Sequence, residues 1–70
     1  MADLLPAAEV TVISLDQQIR SVEREIGLRI FWYPKWVESR KLSQKNADHE
    51  LAAMRAVLRT LQSIRENASA

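Results

Sequence analysis

The stretch "RIFWYPKWV", Arg29 to Val37, decides how this chain folds. It gathers every aromatic residue of the protein, Phe31, Trp32, Tyr33 and Trp36, around a proline. Inside a helix, Pro34 removes one hydrogen bond and crowds the carbonyl of Ile30, at a cost of about 3 kcal/mol. It also pushes Tyr33 away from the α region. One reading breaks the helix near Tyr33 and starts a short helix at Pro34, ending near Arg40. The other carries one helix through. Leu15, Ile19, Val22, Ile26, Ile30, Tyr33 and Val37 favour the second, because at 100° per residue they fall within about 80° of one another. The stripe keeps its phase across the proline. The expectation is a continuous helix 1 over about 14–39, kinked at Pro34.

Working back from the stretch, Ser14-Leu-Asp-Gln17 fits a capping box, in which a hydroxyl and an amide side chain satisfy each other's backbone N–H groups. Asp16 suits the positive end of the helix dipole. Asp16–Arg20 and Glu25–Arg29 are spaced as i,i+4 pairs. Gly27 weakens the helix by roughly 1 kcal/mol relative to alanine. Before Ser14, the β-branched "VTVI" (residues 10–13) reads as a short strand or an extended lead-in. Residues 1–9 have no sustained period and contain Pro6. Together residues 1–13 read as a flexible or extended N-terminal arm.

Working forward, Ala47, Leu51, Met54, Leu58 and Leu61 repeat with 4-3-4-3 spacing, and Val57 and Ile64 widen that stripe on one side. Helix 2 is expected over about 43–66, starting near Ser43, with Arg65 suited to its dipole. Residues 68–70 should fray. The connector near Ser39–Leu42 is short, and short connections make antiparallel neighbours. The fold class is therefore all-α: an antiparallel two-helix hairpin, domain 14–67, with both stripes facing inward.

Seventy residues bury only about 60% of their unfolded surface, and small scaffolds usually add disulfides, a metal or a second subunit. The chain has no cysteine and one histidine, His49. A disulfide is excluded and a zinc site is not expected. Dimerisation into a helical bundle is the expected supplement. Ten basic residues against nine acidic ones give a net charge of +1, not the excess typical of a dedicated nucleic-acid binder. No apolar run approaches membrane-spanning length. The N-terminus lacks a signal-peptide pattern, and the absence of cysteine fits a cytosol.

The rings raise the functional question. Tyr33 lies on the core stripe. Leu28, Trp32 and Trp36 form an i, i+4, i+8 row beginning roughly 60–100° from the stripe's centre, and Phe31 points elsewhere. Either the core is enlarged, or the turn folds back over the rings, or another chain covers them. Exposed apolar patches mark association sites, and Trp, Tyr and Arg dominate binding hot spots. The candidate partner-binding set is Leu28, Arg29, Trp32, Lys35, Trp36 and Arg40. On helix 2, His49, Ala53, Ala56 and Thr60 share one side, small enough to admit another helix, and form the candidate self-association set; alanine is also simply the best helix former. Lys35, Arg40, Lys41 and Lys45 surround the turn with Glu38 as the lone acid. That group reads as a solvated end or as a contact for phosphate or an acidic protein surface. No Gly-rich phosphate loop, nucleophile elbow or Cys/His pair is present. An enzyme is not expected, nor a cofactor or a metal. An extended segment before two helices also raises the ribbon-helix-helix DNA binders. Against them, "VTVI" carries no side chain able to read base edges, and helix 1 is about twice the length that fold needs.

The combination of Arg24, Glu25, Ile26, Leu28 and Arg29 with Tyr33, Pro34, Trp36 and Val37, then Ala47, Glu50, Leu51, Ala53, Met54, Arg55, Ala56, Val57, Leu58, Thr60 and Leu61, resembles a family of small helical proteins of temperate and transposable bacteriophages. The resemblance spans about Leu15 to Arg65, and the Tyr-Pro-x-Trp-Val element is its more distinctive part. The family pattern has a glycine at the connector, where this chain has Ser39-Arg40-Lys41-Leu42. Small early phage proteins of this kind include an anti-activator of Mu-like Pseudomonas phages that binds a host quorum-sensing transcription factor and a pilus assembly ATPase. The resemblance implies a host-directed inhibitor, a homodimer, acting by protein–protein contact in the host cytoplasm. A phage DNA-binding regulator and a phage assembly component stand as alternatives.

Overall fold

A computed structural model describes residues 12–69. It is an all-helical hairpin of two elements, α1 (Leu15–Glu38) and α2 (Gln44–Ser69). Among the described residues there is no strand: Val12 and Ile13 are irregular, and the rest of "VTVI" and of the expected arm lies outside them. No described helix is long and apolar enough to cross a membrane.

The start of α1 is the expected capping box. The Gln17 N–H donates to Ser14 Oγ, and the Ser14 N–H donates to Gln17 Oε1, both at 3.1 Å. The helix then runs unbroken through Pro34 to Glu38. The missing proline N–H leaves the Ile30 carbonyl without its usual helical donor. The shared stripe on both sides of Pro34, packed on α2, outweighs that loss.

The connector closes α1 without a glycine. Arg40 adopts φ 65°. Its N–H donates to the Val37 carbonyl at 3.0 Å, and the Lys41 N–H donates to the Trp36 carbonyl at 2.8 Å. This pair of bonds is the Schellman arrangement, which turns the chain by one left-handed residue. Ser43 caps α2: the Asn46 N–H donates to its hydroxyl at 3.1 Å and the Ala47 N–H to its carbonyl at 2.9 Å. No glycine or proline follows Ile64, and α2 continues to Ser69, past the expected end near 66 and into the residues expected to fray.

The helices meet along the two stripes, but the core is thin. Only Ile19, Ile26 and Ala47 are buried among the described residues. Leu15, Val22, Tyr33, Val37, Leu51, Met54, Leu58 and Leu61 are half-buried around them. Ile30 departs from expectation. Placed on the core stripe, it is 50% exposed, because the helices do not close over its flank and leave a groove there. Asp16 pairs across the hairpin with Arg65 (3.3 Å) rather than along α1 with Arg20.

Candidate functional site

The outer surface of the last three turns of α1 is built from rings. Side chains four residues apart stack along a helix, so Trp32 lies over Trp36 with centroids 6.1 Å apart and planes 23° apart. Tyr33, reaching in from the hairpin contact, touches Trp36 at 5.8 Å. Phe31 and Trp32 form a T-shaped pair with centroids 5.1 Å apart. The Lys35 ammonium sits 4.4 Å from the centre of the Phe31 ring. Phe31, which no periodicity argument accounted for, is thus the seat of a lysine whose charge is held over an aromatic face.

Leu28, Trp32 and Trp36 lie together as expected. They remain 49%, 42% and 39% exposed, so neither an enlarged core nor the turn encloses them. With Tyr33, Glu25 and Arg29 they line an open groove of about 360 Å³. A second open groove of about 310 Å³ runs between the helices, floored by Ile30, Pro34, Val37 and Leu51. Even a hairpin this thin thus carries concavities of a few hundred cubic ångströms, though as clefts.

Arg29 does not stand at the rim as a free cation. Its Nε donates to Glu25 at 2.9 Å, and its Nη1 donates to the Glu50 backbone carbonyl at 3.2 Å while lying 3.6 Å from the Glu50 carboxylate. The guanidinium also lies 5.9 Å from the centre of the Tyr33 ring. The bond to Glu25 holds the Arg29 pKa above its ordinary value, against the lowering effect of desolvation. Arg29 is therefore a clamp between α1 and α2. Its i,i+4 partner was legible in the sequence. Its reach to Glu50 depends on how the two helices face each other, which periodicity does not give. Lys35 and Arg40 are exposed as expected, Arg40 at the head of the connector.

His49, Ala53, Ala56 and Thr60 are all exposed on α2. They sit together on its outer side, next to Val57 and Ile64, which remain 44% and 50% exposed. No group of three or more His, Cys, Asp or Glu side chains among the described residues is arranged to hold a metal ion. No buried side-chain polar atom among them lacks a partner. Comparison with known proteins finds no matching family model, no matching curated protein and no matching solved structure.

Proposed function

We propose that this chain is a phage-encoded protein that binds and inhibits a host regulatory protein by surface contact. The target is a quorum-sensing transcription factor, with a pilus assembly ATPase as a further one. The mode of action is association, not catalysis, and the place of action is the host cytoplasm. The observation that carries the contact reading is the exposed, stacked Trp32–Trp36 pair flanked by Leu28. Tryptophans left uncovered on one helix face are what a binding hot spot requires of its free partner. The nature of the host target rests on the sequence resemblance to small phage proteins. Self-association into a homodimer is part of the proposal, through the outer side of α2 around Ala53, Ala56 and Thr60, because three buried side chains among the described residues make a thin core.

The test is a quorum-sensing reporter strain of Pseudomonas producing this chain, paired with titration of the purified regulator. Reporter output should fall, and the regulator should bind. Trp32→Ala and Trp36→Ala should each weaken binding by about 2 kcal/mol or more, as hot-spot truncations do. Unchanged reporter output with the chain present and folded would overturn the reading.

A further inference from the structure

The groove bounded by Leu28, Trp32, Tyr33 and Trp36 ends at Trp36, where a basic segment of the chain begins. Residues 34–45 carry four cations, Lys35, Arg40, Lys41 and Lys45, against one acid, Glu38. That is a local charge of +3 in a protein whose total is +1. All four cations are exposed, and none of them makes a salt bridge within the hairpin among the described residues. The two charged residues that line the groove itself, Glu25 and Arg29, are already bonded to each other. The groove therefore has an apolar floor lined by an already paired Glu25 and Arg29, and its Trp36 end adjoins the basic connector, where the Lys41 N–H donates to the Trp36 carbonyl at 2.8 Å.

We propose that this groove takes an acidic, apolar segment of another protein. One bulky aliphatic or aromatic side chain of that segment enters between Trp32 and Trp36, and its carboxylates meet Lys35, Arg40, Lys41 and Lys45. The inference rests on the reading of the Trp32–Trp36 face as a partner surface and adds the chemistry of the partner. Oppositely charged rims steer encounter and set register, and an apolar side chain seated against tryptophan supplies the desolvated centre. A second copy of this chain is the poorer occupant. A two-fold contact sets the same patch against itself, so it would bring one +3 end against another.

The chain's only two tryptophans both line the groove, so their fluorescence reports its occupancy. The full chain is titrated with three helical peptides sharing the same leucine and phenylalanine positions, their other positions glutamate, glutamine or lysine. Anionic phospholipid vesicles and a single-stranded oligonucleotide are run beside them. The glutamate peptide should shift the emission to the blue and bind at least about ten-fold more tightly than the glutamine peptide. That margin should shrink as salt rises from about 0.05 to about 0.5 M, because screening shortens the reach of the rim charges. Lys41→Glu with Lys45→Glu should transfer the preference to the lysine peptide. Arg59→Glu, on another side of α2, should leave the preference as it is. Circular dichroism confirms that each variant is folded. Equal binding of the three peptides, no emission change with any of them, or tighter binding of vesicles or oligonucleotide would overturn the inference. A regulator bound with no dependence on Lys41 and Lys45 sinks this inference and leaves the proposed function standing. Charge-selective peptide binding without any regulator binding does the reverse.

Discussion

Arg40 holds the left-handed conformation that helix ends usually give to glycine. An L-residue with a Cβ pays for that conformation with about 1–2 kcal/mol of steric strain. Arg40→Gly should therefore raise stability by about 1 kcal/mol in a urea melt, less the extra backbone entropy of glycine in the unfolded chain. The same change removes one cation from the proposed docking edge, so stability and partner affinity should move in opposite directions. Gly27 is the reverse case. It lies inside α1 with ordinary helical φ, and an added Cβ would meet no atom within 4 Å. Gly27→Ala should stabilise the protein by roughly 0.5–1 kcal/mol, read as a higher thermal midpoint. A lower midpoint would show that another chain packs closely there.

Each helix is defined by its ends as much as by its stripe. The capping box at Ser14 satisfies donors at the start of α1, and Ser14→Ala should cost about 1 kcal/mol, with helicity lost first at that end by hydrogen exchange. Pro34→Ala should add helicity and up to about 3 kcal/mol of stability, because it restores the donor to the Ile30 carbonyl. The capping box, both stripes and the passage of α1 through Pro34 were legible in the sequence, since each depends on neighbours along one helix. The Schellman turn was not, because its usual marker is glycine and here an arginine takes the strain. The end of α2 was misplaced for a related reason: "ENAS" contains no stop signal, and the helix simply continues. Ile30 and Arg29 changed roles because their surroundings depend on how two helices face each other. A wheel drawn for one helix puts Ile30 on the stripe, and only the pair shows the groove that opens beside it. The Trp32–Trp36 row was legible as an off-stripe surface, whereas the seating of Lys35 on Phe31 follows from side-chain directions that periodicity leaves open.

Taken whole, the hairpin hangs on Ile19, Ile26 and Ala47, with half-buried neighbours and the Arg29 clamp around them. Ile26→Ala removes one of the two large buried side chains among the described residues, at a cost of about 2–5 kcal/mol, a large fraction of the total for any small domain. It should leave the chain largely unfolded by circular dichroism at room temperature. If the proposed homodimer supplies the missing burial, the thermal midpoint should climb as protein concentration rises. A midpoint independent of concentration, with a mass near 8 kDa by light scattering, would remove the dimer.

The thin core also bears on how such a chain can change over evolutionary time. With most of the described side chains exposed, few positions are held by packing, and surface substitutions usually shift stability by no more than about 0.5 kcal/mol. Two stripes of medium-sized apolar residues and two serine caps are a loose specification that many unlike sequences meet. The hairpin can thus persist while its exposed rings and cations are rewritten, so the proposed partner face is free to change without loss of the fold.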